Sequence, residues 1–306
     1  MDIIKAIIFG IVEGITEWLP VSSTGHLILF EAFLKFKDVS DRFFDMFDVV
    51  IQLGAILAVV VIYFKDIWPF TNDKKRAYKS KKLVPNPEKG FTKIIAGIMN
   101  PILKFFTKLD KNITSLWGKI LVACIPAAVV GLLFDEVFEK LFYNPTCVAI
   151  ALIVFGIAFI VVENWNKGRA SKTNSIVEIT YKDALIIGGF QLLAAIFPGV
   201  SRSGATIVGA LLIGISRKVS AEFTFYLAVP VMFGASLLKI LKFGFNFSGL
   251  EFAILAVGMI VAFAVSMFII KFLMNYIKKH DFKVFGIYRI VLGIIVLIIG
   301  CTGVLK

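Results

Sequence analysis

The chain has 306 residues, 58% of them hydrophobic, with a formal charge of +12 and a mean hydropathy of +0.89. A soluble domain averages about 45–50% apolar residues, so this composition excludes a water-soluble globular protein. The charge is concentrated: Lys65–Lys119 holds 13 Lys/Arg against 4 Asp/Glu, placing nine of the twelve net positive charges there.

Taken in chain order, residues 3–34 are apolar but broken by Leu19-Pro20-Val21-Ser22-Ser23-Thr24-Gly25. Val49–Phe64 is then long enough to cross a bilayer, which takes roughly 20 mostly apolar residues. The basic connection 65–119 reads as a cytoplasmic loop under the positive-inside bias, with anionic lipid contact as the second reading. Ile120–Phe134 leads out to the loop Asp135-Glu136…Glu139-Lys140, and Cys147–Val162 returns to Lys167, Arg169 and Lys172. Residues 184–215 are again apolar and broken, by Phe197-Pro198-Gly199-Val200-Ser201-Arg202-Ser203-Gly204. Phe223–Phe243, Leu250–Met274 and Val284–Val304 complete the crossings, with Arg217-Lys218 and Lys278-Lys279…Lys283 inside and the C-terminus outside. Runs that are continuous rather than alternating exclude a transmembrane β-barrel. The expectation is an all-α polytopic membrane protein, one integral membrane domain over 1–306, with about six full crossings. Cys124, Cys147 and Cys301 lie in apolar runs without metal or redox spacing, and are expected as small buried residues. The first residues lack a basic n-region and an Ala-x-Ala site, so no removable signal peptide is expected.

The two broken segments are alike. Glu13 aligns with Gln191 and Pro20 with Pro198; Ser22 and Gly25 align with Ser201 and Gly204, and Gly54-Ala55 with Gly234-Ala235. Helix halves of this length around a polar break suit re-entrant hairpins, since irregular backbone at membrane depth must be buried in protein or line a cavity. The topology sends the first hairpin in from outside and the second from the cytoplasm. That is an inverted-topology repeat, about 1–134 and 184–306, whose breaks meet near the midplane.

Glu13 and Glu17 lie one helical turn apart, beside Gly10 and Gly14. Two carboxylates at this spacing in a membrane repel, and favour a cation or a functional cavity; their hard oxygens suit Mg²⁺ or Ca²⁺. Ser22, Ser23 and Thr24 open the next helix. They can cap it, and the helix N-terminus also suits an anion. His26 shares a face with Ser23 and fits a catalytic or proton-transfer role. In the second break Arg202 offers a planar fork for phosphate oxygens, with hydroxyls from Ser201, Ser203 and Thr206 around it. Arg202 could instead merely neutralise Glu13 or Glu17. Asp45, Asp48, Gln52 and Gln191 read as supporting polar residues, Arg217 and Glu222 as interfacial, and His280 as part of a solvated turn.

With these residues in hand, the chain resembles the bacterial undecaprenyl-diphosphatase, or bacitracin-resistance, family over nearly its whole length. The resemblance rests on Glu13-Gly14-Ile15-Thr16-Glu17-Trp18-Leu19-Pro20-Val21-Ser22-Ser23-Thr24-Gly25-His26 and on Pro198-Gly199-Val200-Ser201-Arg202-Ser203-Gly204-Ala205-Thr206. It implies hydrolysis of undecaprenyl diphosphate to undecaprenyl phosphate in the bacterial plasma membrane, recycling the peptidoglycan carrier, with a divalent cation and an outward-facing site. On this reading Ser23, His26, Glu17 and Arg202 are catalytic, and Glu13 and Glu17 hold the metal. Ser22, Thr24, Gly25, Gly199, Ser201, Ser203, Gly204 and Thr206 bind substrate. Ser23 is the favoured nucleophile with His26 near enough to move its proton; a His26 nucleophile and direct attack by water stay open. The partners expected are a prenyl diphosphate lipid and the membrane, with no nucleic acid and a homodimer admitted. The rival reading is a lipid-phosphate transporter using the same anion site. A phosphatidate-phosphatase type is disfavoured, because that chemistry needs two site histidines and His280 is expected in the cytoplasm.

Overall fold

In the computed structural model, six helices are long and apolar enough to cross a membrane: Arg42–Ile62, Lys111–Phe134, Pro145–Trp165, Arg217–Phe243, Gly249–Tyr276 and Lys283–Cys301. Each contains one of the crossings expected from the sequence, apart from a few residues at the ends. The structure describes residues 1–37, 39–73, 75–78, 105, 107–302 and 305; most of the basic connection lies outside these. Among the described residues there are helices and isolated bridges only.

The first broken segment forms α1 (Asp2–Thr16) and α2 (Ser23–Leu34), and the crossing that follows is α3 (Asp41–Val50) plus α4 (Gln52–Ile62). This crossing starts several residues earlier than its hydropathy suggested. Arg42, Asp45 and Asp48 dilute the apolar signal of α3, yet Phe43, Phe44, Met46 and Phe47 are buried. They pack with Phe9 of α1 and Phe36, so burial on one face holds a helix that average hydropathy under-reads. A short helix α5 (Phe64–Ile67) belongs to a separate unit, Tyr63–Lys119, in which Arg76 pairs with the buried Asp110 and the Trp117 indole donates to the Ile67 carbonyl.

The remaining helices are α6 (Lys111–Phe142), α7 (Pro145–Trp165), α8 (Tyr181–Ile196), α9 (Arg202–Leu212), α10 (Arg217–Phe243), α11 (Gly249–Tyr276) and α12 (Lys283–Cys301). The last residues of the basic connection are therefore helical. The expected outer loop from Asp135 shrinks to two residues, because α6 continues to Phe142 and the next helix begins at Pro145. Asn144 caps α7 by accepting from the Cys147 amide at 2.9 Å, with Pro145 pre-set for the first helical position. Thr180 and Asp183 form a capping box on α8, and Ser248 and Glu251 form one on α11. None of the three cysteines is fully buried, and Cys301 is exposed at the end of α12. An apolar lipid surface accepts a thiol as readily as a protein core.

Helix faces in lipid gain little by hiding apolar side chains from one another, so close approach through small residues replaces hydrophobic burial. A Cβ on Gly10 would lie 2.7 Å from the Gly258 carbonyl oxygen, so α1 rests directly on α11. Gly156 and Gly286 make the same approach between α7 and α12, each 2.6 Å from the other's carbonyl oxygen. Gly54 of α4 sits against the Met259 backbone, whereas Gly234 of α10 has no atom within 4 Å of a virtual Cβ. Gly54→Ala should therefore lower the unfolding free energy in detergent by about 1–3 kcal/mol through overpacking. Gly234→Ala should raise it slightly, by about 0.4–1 kcal/mol. Thermal unfolding of both variants checks this; equal losses would refute the close approach at Gly54.

Candidate active site

Both breaks are built the same way. Ser22 and Ser201 sit at φ 76° and 67°, and they are the non-glycine residues with positive φ among those described. Such backbone costs about 1–3 kcal/mol and persists only where its surroundings over-determine it. Each serine is an N-cap: Ser22 Oγ accepts from the Gly25 amide at 3.3 Å, and Ser201 Oγ from the Gly204 amide at 3.2 Å. The first turns of α2 and α9 are thereby fixed, and a helix N-terminus is a place that suits an anion. Gly199, at φ 92°, fits against the Val148 backbone, where a side chain would collide.

The two breaks meet. Ser203 Oγ donates to the Glu17 carbonyl at 3.1 Å, and Arg202 Nη2 donates to Glu17 Oε1 at 2.8 Å. Arg202 also donates through Nη1 to the Thr224 carbonyl at 3.0 Å, while its buried Nε has no partner. Thr206 Oγ1 donates to the Arg202 carbonyl at 2.9 Å and shares a 2.8 Å hydrogen bond with Thr224 Oγ1. Ser201 and Ser203 are joined hydroxyl to hydroxyl at 3.2 Å. So the neutralising role weighed for Arg202 is the one seen here, toward Glu17, and its Nε–H remains unused.

Ser23 Oγ donates to Glu17 Oε2 at 3.2 Å. Its hydroxyl is brought to Glu17 rather than to His26. His26 is itself engaged on both sides, through Nδ1 with the Ser22 carbonyl at 2.7 Å and through Nε2 with the Tyr288 hydroxyl at 2.7 Å. Glu13 is fully buried and neither carboxylate oxygen has a hydrogen-bond partner. Its counterpart Gln191 is likewise buried, with both amide atoms unpartnered. Thr24 is half-buried at the start of α2, and Gly25 is buried where a Cβ would meet Leu152 at 3.0 Å.

Sequence reasoning missed one residue that organises all of this. Arg289 of α12 is completely buried. Its Nη2 donates to the Gly199 and Val200 carbonyls at 2.9 and 2.8 Å, and its Nη1 to the Pro20 carbonyl at 3.4 Å. One guanidinium thus receives carbonyls from both breaks, and a Cβ on Gly204 would reach Nη1 at 2.8 Å. The signal was present: an arginine inside an otherwise apolar crossing is functional by default. Sequence reading also missed the partner of Arg217, which was expected at an interface. Buried Glu163 takes its fork through Nε at 2.9 Å and Nη2 at 2.6 Å, and accepts the Phe282 amide at 3.0 Å.

The family described as bacitracin resistance protein BacA matches residues 6–295. The chain belongs to that family. Undecaprenyl-diphosphatase of Desulfitobacterium hafniense is 56% identical over 298 residues, covering 97% of this chain and 96% of the relative. Undecaprenyl-diphosphatase 1 of Clostridium acetobutylicum is 53% identical, covering 97% of each chain. A relative of the same name from Enterococcus faecalis is 53% identical over 98% of this chain and 97% of its own length. With six apolar crossings and this family match, the chain is a multi-pass membrane protein.

Arg289→Lys tests the clamp. Lysine keeps the charge but lacks the planar fork, so buried carbonyls of at least one break lose their donor. A hydrogen bond to a charged group contributes about 1.5–3 kcal/mol, and a loss of that size should appear in thermal unfolding in detergent. Unchanged stability would mean the carbonyls find other donors.

Proposed function

We propose that this chain is an undecaprenyl-diphosphatase, hydrolysing undecaprenyl diphosphate to undecaprenyl phosphate and inorganic phosphate. The observation that carries the reading is a serine hydroxyl hydrogen-bonded to a carboxylate, which itself accepts from Arg202 Nη2, beside the starts of two helices. The relatives' names support it over a carrier. A pure transporter also has no use for a hydroxyl held on a carboxylate beside an anion site.

Phosphoryl transfer asks mainly for positioning and charge stabilisation. In the proposed reaction the diphosphate lies against the first turns of α2 and α9, where free backbone N–H groups and Arg202 receive its oxygens. Ser22, Thr24, Gly25, Gly199, Ser201, Ser203, Gly204 and Thr206 shape that anion cradle. Ser23 Oγ attacks the terminal phosphorus and its proton passes to Glu17 Oε2, the atom it already faces. The Oγ–P bond forms as the bridging P–O bond breaks, and undecaprenyl phosphate leaves. Water then cleaves the phosphoserine and the proton returns. His26 is the second group able to take or give a proton.

Glu13, with two buried carboxylate oxygens and no donor to either, fits a hard divalent cation such as Mg²⁺ or Ca²⁺ shared with Glu17. When bound, that cation supplies positive charge against the diphosphate. The matching order of elements supports the inverted repeat: α1, α2, α3–α4, α6 and α7 correspond in turn to α8, α9, α10, α11 and α12. Read this way the first repeat runs past its 1–134 bound and closes with α7, while the second, from α8 to α12, stays close to 184–306. Lys5 donates to the Lys35 carbonyl and Asp2 accepts the Lys37 amide, so α1 and α2 start and end together, as a re-entrant hairpin requires. With the basic connection inside, the hairpin of α1 and α2 opens outward, toward the periplasmic or outer face of the plasma membrane. One copy supplies every residue of this reading, so a homodimer would add none.

Two measurements test it. Purified chain in detergent should release phosphate from undecaprenyl diphosphate, and chelation should stop the release until Mg²⁺ or Ca²⁺ is restored. Arg202→Ala should lower kcat by roughly 10²–10³-fold, the scale for losing a charge-stabilising donor, and Arg202→Lys should recover little of it. If lysine restores most turnover, Arg202 is only the counter-ion of Glu17.

A further inference from the structure

The residue beside the clamp has no part in the chemistry above, yet it touches it. Tyr288 precedes Arg289 on α12, and its hydroxyl lies 2.7 Å from His26 Nε2. The two rings are within 9° of parallel, with centroids 5.6 Å apart. On the other side of the imidazole, Nδ1 lies 2.7 Å from the Ser22 carbonyl oxygen. A carbonyl oxygen only accepts, so Nδ1 carries the hydrogen and donates. In the neutral ring Nε2 is then the bare nitrogen, and the Tyr288 O–H must donate to it.

We propose that Tyr288 is a positioning residue of the diphosphatase site: it locks His26 in the Nδ1–H tautomer, and His26 in turn holds the left-handed Ser22 that aims Ser23. The proposal rests on the functional reading above.

The physical case has three parts. Ser22 occupies a sparsely populated backbone region at φ 76°, and such a residue relaxes unless its neighbours hold it. The side-chain cap from Ser22 to Gly25 is long, at 3.3 Å, so the 2.7 Å bond from His26 to the Ser22 carbonyl is the shorter tie on this residue. Without Tyr288 the imidazole could put its hydrogen on either nitrogen, and in the Nε2–H form the Ser22 carbonyl would lose its donor. Together, consecutive residues of α12 then hold the first break at two carbonyls, Arg289 at Pro20 and Tyr288, through His26, at Ser22. A phenol hydroxyl suits the task because it can donate to the neutral imidazole and accept from the imidazolium. It therefore keeps the ring in place through a full proton cycle. Tyr288 is also 47% exposed while His26 is 8% exposed, so shortening the phenol to a phenyl ring empties no core.

The test uses the full chain carrying His280→Gln, which leaves His26 as the sole histidine, with histidine labelled by ¹⁵N and the protein in lipid nanodiscs. The ¹⁵N shifts at neutral pH should read Nδ1 as protonated and Nε2 as a bare, hydrogen-bonded nitrogen. Adding Tyr288→Phe should move the Nε2 signal away from the hydrogen-bonded position and mix in the other tautomer. In phosphate release from undecaprenyl diphosphate, Tyr288→Phe should lower kcat roughly three- to tenfold, the scale of one neutral hydrogen bond, with KM within about twofold. An Nε2–H tautomer in the unsubstituted Tyr288 protein overturns the proposal without any variant. So does unchanged kcat in Tyr288→Phe, whatever happens to the shifts. If the parent protein released no phosphate, the diphosphatase reading would fall, while the shifts would still decide whether Tyr288 holds the tautomer.

Discussion

A helix interrupted inside a bilayer leaves carbonyls and amides that no water can reach, and each must find a partner within the protein. This chain has two interrupted helices whose breaks are buried in protein, and one guanidinium serves both. Arg289 receives carbonyls from Pro20 on one side and from Gly199 and Val200 on the other. Because a guanidinium is a planar fork of fixed geometry, the breaks must lie at a defined separation to share it. Everything polar in the site is referenced to that separation.

With the carbonyls tied, α2 and α9 are each started by a serine in left-handed backbone. The same constraint puts Ser203 on the Glu17 carbonyl and Arg202 on the Glu17 carboxylate. Glu17 then connects three groups: the Arg202 guanidinium, the hydroxyl of Ser23, and the hydroxyl of Ser203 from the opposite break. Glu13, one turn away, has no donor at all. A buried carboxyl without a donor is costly, and it is this group to which the proposal above gives a cation.

The surrounding helices supply the stiffness that such strained turns need. Gly10 against Gly258 and Gly156 against Gly286 let backbones touch, which leaves little room for the breaks to relax. Farther off, the fork of Arg217 on Glu163, with the Phe282 amide on the same carboxylate, ties the start of α10 to the end of α7 and to the residue before α12. The register of α12, and hence the height of Arg289 and Tyr288, is set from that end as well.

The six crossings and the two interrupted helices were legible because they depend on local quantities: run length, continuity of apolar residues, and proline beside serine and glycine. Glu13, Glu17 and Arg202 stood out as candidates for the same reason, since ionisable side chains are rare in apolar segments. The early start of α3 was hidden, since one-sided burial of Phe43, Phe44 and Phe47 does not register in an average that also counts Arg42 and Asp45. The pairings were hidden too. Nothing in the spacing says that the Ser23 hydroxyl turns to Glu17 while His26 turns to Tyr288, 262 residues away. Sequence by itself determined which segments cross, where they break and which side chains have chemistry to offer, because those follow from transfer energies and helix propensities. Only the tertiary structure decided who meets whom, because a hydrogen bond is a matter of ångströms between elements, and those distances come from the glycine contacts and from the Arg289 fork that sets the two breaks against each other.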